Sequence, residues 1–480
     1  MADPGRRIPF EHHAGRSQTV FLSVDIWPRP ADPDRAALGL ERLRERAAQA
    51  GDPELPAFVE RLAADDNGHA LLRAVFGNSP FLTESILRDP AFLRRLIDDG
   101  PDATLAVLLD EAEESLAAET DQKRLMAGLR RMKNRAALLI ALADIGGLWS
   151  FELVTGALSW TAEAALRLAT RQLLRQAAAR GAIELTDPDS PETDSGLIVL
   201  AMGKLGAGEL NFSSDIDLII LYDDARVHMA GGHEMARTFV RIARDLVRIM
   251  EERTADGYVF RTDLRLRPDP GATPLAVSVT GAEGYYGSMA LNWERAAMVR
   301  ARPVAGDLAA GHEFLHAISP FVWRRLLDFA AVQDIHSVKR RIHDTHGHER
   351  FRVAGHDVKL GRGGIREIEF FVQAQQLLFG GRDPTYRTAQ TVDALSVLAR
   401  TGRTAPPIAA ALADDYRFLR RVEHRLQMID DQQTHTLPDD ETEVDALAVF
   451  LGYDDPAEFR RQLQETLRRV GGEYDLSLIH

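Results

Sequence analysis

The chain has 480 residues, of which 45% are hydrophobic and 27% are charged, and it contains no cysteine. The length predicts several packing units, and the lack of cysteine excludes disulfide scaffolds, thiol nucleophiles and cysteine-ligated zinc. The formal net charge of −14 disfavours nucleic acid as a partner. No apolar stretch approaches the roughly 18 residues of a membrane span, and no apolar segment follows the first arginines, so we expect a cytoplasmic protein that does not bind membranes.

The first part of the chain is predicted to be helical. Ala, Leu, Arg and Glu dominate from Arg35 to about Ile183, and prolines divide this stretch into short helices. Longer helices are predicted over Gln122–Ile145 and Phe151–Ala182. The polar run Thr186–Ser195 then predicts a linker, so residues 1–190 are expected to form an N-terminal helical region.

Short apolar runs indicate a change to strands after this linker. Leu197–Met202 and Ile216–Tyr222 are continuous apolar segments of the length typical of buried strands. An amphipathic helix is predicted over about Glu234–Glu252, followed by an alternating, half-exposed strand over Tyr258–Arg267 that prolines end. Residues 191–330 are therefore expected to form a compact catalytic core around a small mixed sheet.

Helical periodicity returns beyond Thr280, and residues 331–480 are expected to form a C-terminal helical domain. The whole chain is thus predicted to be α+β and predominantly helical, with a small mixed sheet flanked by an N-terminal helical region and a C-terminal helical bundle. The helices predicted beyond Thr280 are Gly281–Ser288, Trp293–Arg302, Val332–His343, Gly364–Leu378, Val392–Thr401, Ile408–Ile429 and Pro456–Val470.

Three glycines follow the first predicted strand. Gly203, Gly206 and Gly208 lack the Cβ atom that would keep a phosphate away from the backbone. The order of these glycines, together with Leu205 after Lys204, matches neither a P-loop nor a dinucleotide-binding fingerprint. We therefore expect a loop that brings backbone amides close to a polyanion, with its chemistry decided by the residues that follow.

Carboxylates on two neighbouring predicted strands form the strongest candidate site. Asp215 and Asp217 are one residue apart at the start of a strand, so both side chains project from one face, and Asp263 on the next strand would complete a cradle of three acids. Such a cradle suits a pair of Mg²⁺ ions at a phosphoryl centre. Strand-end solvation and capping are the alternative. Arg265 and Arg267 alternate onto the face of Asp263, where they would contact phosphate or act as counterions.

A second glycine-rich segment precedes a predicted helix. Gly363 and Gly364 would expose the first amides of that helix as an anion site, with Lys359 and Arg366 adding positive charge. Glu369 lies in the early turns of the same helix, where an ordinary partner of the helix dipole is the alternative.

The motifs occur in a fixed order from about Gly196 to the C-terminus. Together they resemble glutamine synthetase adenylyltransferase, also called the adenylyl-removing enzyme, a nucleotidyltransferase family of the DNA polymerase β type. The segments that carry this resemblance are Gly203-Lys-Leu-Gly206, Ser213-Ser-Asp-Ile-Asp217, Arg261-Thr-Asp-Leu-Arg-Leu-Arg-Pro268, Asn292-Trp-Glu-Arg295, Lys359-Leu-Gly-Arg-Gly-Gly-Ile-Arg-Glu-Ile-Glu-Phe370 and Gln432-Gln-Thr-His-Thr-Leu-Pro438.

The resemblance implies a two-metal nucleotidyltransferase site. In this family the paired aspartates and a third acid hold two divalent ions, which implies Mg²⁺, or else Mn²⁺, at Asp215, Asp217 and Asp263. Members often show Gly-Ser at the loop, whereas Lys204 follows Gly203 here, so the serine role passes to Ser213 or Ser214. The residues expected to bind nucleotide or phosphate are Gly203, Lys204, Ser213, Ser214, Arg265, Arg267, Lys359, Gly363, Gly364, Arg366 and Glu369.

Family members usually carry two such units, one removing AMP from glutamine synthetase and one adding it. This chain holds one unit, and Asn211–Asp217 and Gly363–Glu369 resemble the removing half. We therefore expect phosphorolysis of adenylyl-tyrosine on glutamine synthetase by inorganic phosphate, which releases ADP, with the PII signalling protein as a regulatory partner. The alternatives are transfer of AMP from ATP, and a non-catalytic module that binds glutamine synthetase or PII.

Overall fold

Helices dominate the computed structural model, and one five-stranded sheet lies near the middle of the chain. The expected fold class, α+β and predominantly helical with a small mixed sheet, is confirmed. The helix predicted over Val332–His343 lies outside the described residues, and the division into three domains stays a prediction. The structure describes residues 20–24, 26–230, 232–324 and 352–479.

Local capping signals explain why the N-terminal region forms many separate helices. Asp32, Ser79 and Asp89 each accept a hydrogen bond from a backbone amide in the first turn of the next helix, and proline occupies the first helical position after each of them. The two predicted long helices are confirmed, the second ending at Ala179. The helices are α1 Pro33–Gln49, α2 Leu55–Ala64, α3 Asp66–Asn78, α4 Pro80–Arg88, α5 Pro90–Asp99, α6 Pro101–Leu116, α7 Gln122–Ile145 and α8 Phe151–Ala179.

The sheet combines antiparallel and parallel pairing around its second strand. This strand pairs antiparallel with the first strand and parallel with the third and fourth, while the fifth pairs antiparallel with the first. Both strands predicted from apolar runs are confirmed. The strands are β1 Leu197–Ala201, β2 Ile216–Tyr222, β3 Thr262–Asp263, β4 Ala276–Ser278 and β5 Arg302–Gly306.

Two predictions around the sheet are wrong in extent. The strand predicted over Tyr258–Arg267 is limited to Thr262–Asp263, because the chain turns at once and Arg267 donates to backbone carbonyls in that turn. The helix predicted over Trp293–Arg302 ends at Met298, and Arg302 starts β5 instead. The alternating pattern of Tyr258–Arg267 could not show where the chain turns. The helical periodicity of Trp293–Arg302 could not show that Arg302 would pair with a neighbouring strand.

Both faces of the sheet are buried, which explains the continuous apolar runs of its central strands. Leu197 and Val199 pack in one core with the N-terminal helices, whereas Ile198 and Leu200 face a second core under the helices that follow β4. The helices around the sheet are α9 Gly203–Gly206, α10 Met235–Glu251, α11 Val279–Ser288, α12 Asn292–Met298, α13 Leu308–Ala317 and α14 Ser319–Val322.

The C-terminal helices share a third core of their own. The longest of them also reaches the N-terminal helices, where the Ser79 hydroxyl donates to the carbonyl of Met428 over 2.6 Å. Three predicted helices of this region are confirmed to within two residues at each end, whereas the one predicted over Pro456–Val470 continues to Ile479, and the sequence does not predict Glu441–Phe450. The helices are α15 Ile365–Phe379, α16 Thr391–Arg400, α17 Pro406–Asp430, α18 Glu441–Phe450 and α19 Pro456–Ile479.

A buried polar network joins α17 to the sheet. The fully buried guanidinium of Arg420 donates to Tyr416 Oη (2.6 Å), Asn211 Oδ1 (3.0 Å from Nε) and the Glu209 carbonyl (2.6 Å). A buried cation is tolerated only when such partners surround it, so the network fixes α17 against the loop after β1. Its members are Lys204, Glu209, Asn211, Arg300, Glu369, Thr391, Tyr416, Arg420 and Glu423.

A close backbone contact holds α15 against α19. Gly363 has φ +75°, and a Cβ atom added there would lie 2.1 Å from the carbonyl oxygen of Leu467 on α19. Only glycine adopts this conformation without strain and allows the two backbones to come so close.

We expect Gly363→Ala to destabilise the protein by roughly 3 kcal/mol or more, because backbone strain and a clash with α19 add together. Gly402→Ala is the matched control, since Gly402 has φ +70° and no atom of the described residues lies within 4 Å of the position that its Cβ would take. Strain alone should cost the control about 1 kcal/mol. Thermal unfolding followed by circular dichroism measures both, and equal melting temperatures for the two variants would show that the contact with Leu467 is unimportant.

Candidate active site

Three carboxylates lie together where β2 begins. Asp217 is the second residue of β2 and is paired in parallel register with Asp263 of β3, while Asp215 immediately precedes the strand. Neighbouring strands are about 4.8 Å apart, so paired residues carry their side chains side by side. The structure thus places the three predicted aspartates at one end of the sheet.

The electrostatics of this group favour a cation. Burial raises the pKa of Asp217 to about 7, with the carboxylates of Asp215 and Asp263 acting in the same direction and Lys359 and Arg265 opposing them. A divalent ion among the three acids would replace repulsion with attraction, and carboxylate oxygens are the donors that Mg²⁺ and Mn²⁺ prefer. The donor set therefore fits such ions.

The carboxylate groups of Asp215, Asp217 and Asp263 do not meet at one point where a metal ion could bind all three. Within the described ranges, no three carboxylate or imidazole side chains are grouped as a ready metal site. Arg265 instead binds both oxygens of Asp263 through Nε, at 3.0 and 2.8 Å, and this contact lowers the pKa of Asp263. The arginine side chain is 85% exposed, so little besides Asp263 holds it in place.

The glycine loop touches the acid group through its backbone. Gly203 has φ +55°, and a Cβ atom there would lie 2.5 Å from Asp217 Oδ2. The amide of Met202 donates to the carbonyl of Asp217 over 2.9 Å, which holds the loop beside β2. Glycine at 203 is therefore required by the approach of the backbone to Asp217, in keeping with the predicted role of this loop as a close neighbour of the reacting group.

A cleft of about 640 Å³ opens beside Asp215 and Asp263. Gln433 lies at its edge and donates to Asp215 Oδ1 over 2.7 Å. The sequence analysis predicts no role for Gln433. Its place in the motif Gln432–Pro438 is the one sequence feature that could have pointed to it. The other residues of the cleft are Glu251, Arg253, Tyr258, Arg261, Thr262, Leu264 and Arg265, so positive and aromatic side chains face the acids.

Lys359 is the cation best placed for an anionic substrate. It is close enough to Asp217 to oppose the rise of that pKa, and its side chain is half-buried. Within the described part of the chain its ammonium group makes no hydrogen bond or ion pair. The loop that carries it is held by Asp357, whose Oδ1 accepts from the amides of Lys359 and Leu360 over 2.9 and 2.7 Å.

The start of α15 differs from the predicted anion site. The amides of Ile365 and Arg366 already donate to the carbonyls of Val358 and Lys359, over 2.9 and 3.0 Å, so they are not available to a phosphate. Gly363 and Gly364 are buried in this turn, packed against backbone carbonyls. Arg366 is exposed and lies close to Tyr474 of α19.

Lys204 and Glu369 belong to the buried polar network rather than to an open surface. Lys204 Nζ lies 3.2 Å from Glu423 Oε2, and burial lowers the pKa of Lys204 to about 8. Glu369 Oε1 lies 3.1 Å from Arg300 Nη1; although burial alone would raise its pKa, Arg300 and Lys204 hold that pKa well below the usual range. Both side chains therefore make their polar contacts within the buried network.

The two serines have different settings. Ser213 is buried, its amide donates to Gln427 Oε1 over 2.9 Å, and its hydroxyl accepts from Arg261 over 2.9 Å. Ser213 thus connects the aspartate loop to α17 and to an arginine of the cleft. Ser214 is half-buried beside Asp215 and makes no side-chain hydrogen bond within the described residues.

The expectation that Arg265 and Arg267 share one strand face is wrong, because β3 ends at Asp263. Arg267 donates to the carbonyls of Leu264 and Pro270, over 2.9 and 2.8 Å, and so stabilises the turn. Of the two arginines, only Arg265 lines the cleft.

Two family models match this chain. A family model described as glutamate-ammonia ligase adenylyltransferase matches residues 69–317, which include the whole aspartate group. A second family model, described as GlnD PII-uridylyltransferase, matches residues 336–476. The segments that contribute Lys359 and Gln433 therefore lie in a region that resembles part of another nucleotidyl-transferring family.

Similar curated proteins are named bifunctional glutamine synthetase adenylyltransferase/adenylyl-removing enzyme. The protein of Brucella melitensis is 48% identical over 93% of this chain and 45% of its own length. The protein of Rhodopseudomonas palustris strain CGA009 is 48% identical over 93% of this chain and 45% of its own length. The protein of Xanthobacter autotrophicus is 46% identical over 98% of this chain and 47% of its own length. The chain thus spans about half the length of the curated relatives it matches. With a family model covering half of its residues, the chain belongs to the glutamate-ammonia ligase adenylyltransferase family.

Proposed function

We propose that this chain removes the adenylyl group from a tyrosine of glutamine synthetase by phosphorolysis, releasing ADP. The observation that carries the proposal is the meeting of three carboxylates at the start of β2 with Lys359, whose ammonium group is unpaired within the described residues. Acids of this kind suit metal-assisted phosphoryl chemistry, and a free lysine beside them suits an anionic nucleophile.

The cleft provides room for the adenylyl group. It lies against Asp215 and Asp263, and Arg253 and Arg261 supply positive charge along its wall. The hydroxyl of Tyr258 receives a hydrogen bond from Arg261 over 2.7 Å and donates one to Asp431 over 2.9 Å, which fixes the ring in that wall. A nucleotide bound there would place its phosphorus next to the aspartates.

Asp215, Asp217 and Asp263 are the residues that would hold two divalent ions, Mg²⁺ or Mn²⁺. Bound ions supply Lewis-acid stabilisation of the charge that develops at the phosphoryl group and on the leaving oxygen. The chain itself contributes the remaining steps: Lys359 attracts and orients the attacking phosphate, and the backbone at Gly203 lies beside Asp217, where the phosphoryl oxygens would be. Arg265 must leave Asp263 before that carboxylate can bind a metal, and its exposure permits this.

The direction of the reaction is supported by the motifs. Ser213–Asp217 and Gly363–Glu369 resemble the adenylyl-removing half of the family, and the chain matches a single nucleotidyltransferase unit. Phosphate is already an anion at neutral pH, so removal needs no general base to generate the nucleophile. PII is proposed as a regulatory partner, supported by the similarity of residues 336–476 to a PII-uridylyltransferase family.

We expect Asp215→Asn and Asp217→Asn each to lower turnover by about 100-fold or more, because each removes a charge at the metal-binding group. The fold should persist, since the substitution opens no cavity. Asp224→Asn, just beyond the other end of β2, is the matched control and should keep its activity. Release of labelled ADP measures the activity of all three variants. If either site variant has an activity within a few-fold of the chain without substitutions, the two-metal arrangement is contradicted.

Lys359→Ala should raise the phosphate concentration needed for half-maximal rate by about tenfold or more, because it removes a charged hydrogen bond to the nucleophile. Lys123→Ala changes an exposed lysine on α7 and serves as the control. Initial rates at several phosphate concentrations give the comparison. A fall in melting temperature with unchanged phosphate dependence would assign Lys359 a structural role.

The direction itself is tested by supplying each co-substrate in turn. Adenylylated glutamine synthetase with Mg²⁺ and phosphate should give ADP, and omission of phosphate should stop the reaction instead of yielding AMP, because phosphate and not water is the nucleophile. Unmodified synthetase with ATP should be modified little. Rapid adenylylation with ATP and indifference to phosphate would assign the chain to the opposite reaction.

A further inference from the structure

A histidine and an aspartate form a hydrogen-bonded pair between the two segments that carry Gln433 and Lys359. His435 Nδ1 lies 2.9 Å from Asp357 Oδ1. Such a bond fixes the orientation of an imidazole ring while leaving Nε2 to act on another molecule. The proposed phosphorolysis as described above gives neither side chain a chemical role.

Two residues close in sequence to the pair, Gln433 and Lys359, interact with the aspartates. The segments that carry it are joined through the bridge of Asp357 with Thr436 and through a hydrogen bond of 2.9 Å from the amide of Val358 to the carbonyl of His435. Gln433, two residues before His435, donates to Asp215. Lys359, two residues after Asp357, acts on Asp217. Two residues of extended chain span about 7 Å, so the backbone of His435 lies within about 7 Å of Gln433, the residue that donates to Asp215.

The setting of the ring suits exchange of a proton with a substrate. The side chain of His435 is 28% exposed and that of Asp357 is 24% exposed, so the pair is partly open. Within the described residues, Nε2 of His435 makes no hydrogen bond and is not among the buried polar atoms without a partner. The structure thus presents an oriented imidazole whose second ring nitrogen makes no hydrogen bond within the described residues, two residues along the chain from the contact of Gln433 with Asp215.

We propose that His435 is the general acid that protonates the leaving tyrosine oxygen, with Asp357 as its positioning residue. The proposal rests on the proposed phosphorolysis and explains how the phenol of the tyrosine leaves in that reaction. A tyrosine hydroxyl has a reference pKa near 10, so its oxygen leaves more readily when a proton arrives as the bond to phosphorus breaks.

The step balances without any further reactant. A bond forms between an oxygen of hydrogen phosphate and the adenylyl phosphorus, and the bond from that phosphorus to the phenol oxygen breaks. The electron pair of the broken bond stays on the phenol oxygen, which takes the proton from Nε2 of His435. The proton that hydrogen phosphate carried returns through solvent to the imidazole, leaving ADP and free tyrosine.

The test compares two leaving groups. Adenylylated glutamine synthetase is prepared with ordinary tyrosine and with 3,5-difluorotyrosine, whose more acidic phenol needs less help to leave. His435→Gln should slow removal from ordinary tyrosine by about 100-fold or more and removal from the fluorinated residue by clearly less. Asp357→Asn should show the same difference between substrates with a smaller loss. His312→Gln, an exposed histidine on α13, is the control and should change neither rate.

Other outcomes overturn the proposal. Equal losses on both substrates would make His435 a structural residue, and unchanged rates would show that it takes no part. If Asp357→Asn does not fold, because Asp357 also holds the Lys359 loop, the two rates of His435→Gln decide alone. If the chain without substitutions is active with ATP but not with phosphate, the proposed direction of the reaction is overturned. The same two phenols then test His435 as the base of the transfer reaction. No activity in either direction would overturn both proposals.

Discussion

The burial of Arg420 between α17 and the loop after β1 is the interaction on which the rest of the structure depends. A fully buried guanidinium must have its donors satisfied, and its partners come from both sides: Tyr416 on its own helix, and Glu209 and Asn211 in the loop. Glu423 completes the charge balance, since Lys204 and Arg420 hold its pKa to about 2 although burial opposes ionisation. Loss of either side would leave an uncompensated charge, so the two segments are held together.

This constraint assembles the site from distant parts of the chain. The loop fixed by Arg420 continues into Ser213, whose amide donates to Gln427 of α17, and then into the aspartates. Beyond the end of α17, Gln433 reaches Asp215. The acids of the sheet and the polar residues of the C-terminal segments therefore meet because one helix is anchored twice to the same loop.

Charges of both signs lie close together in this part of the molecule. Lys204 and Glu369 lie in the buried network, and the carboxylates of Asp215, Asp217 and Asp263 lie together at the start of β2. The cleft then brings arginines to face these acids. The acidic net charge therefore does not decide the sign of the charge along the cleft, because the local balance of charge determines attraction at short range.

The sequence by itself determined the elements that depend on local chemistry. Caps and prolines set the helix starts, apolar runs marked β1 and β2, and the one-residue spacing of Asp215 and Asp217 revealed the acid pair. The extents of β3 and β5 depended on neighbouring strands, which no local pattern records.

Only the tertiary structure decided which charged side chains are buried in ion pairs and which are not. Lys204 and Lys359 both lie in glycine-rich motifs, yet Lys204 is buried against Glu423 and Lys359 stays unpaired within the described residues. Gln433 reaches Asp215, and His435 reaches Asp357, because α17 positions the segment that carries them. The physical reason is that burial and partners, which set the role of a charged side chain, come from residues far apart in sequence.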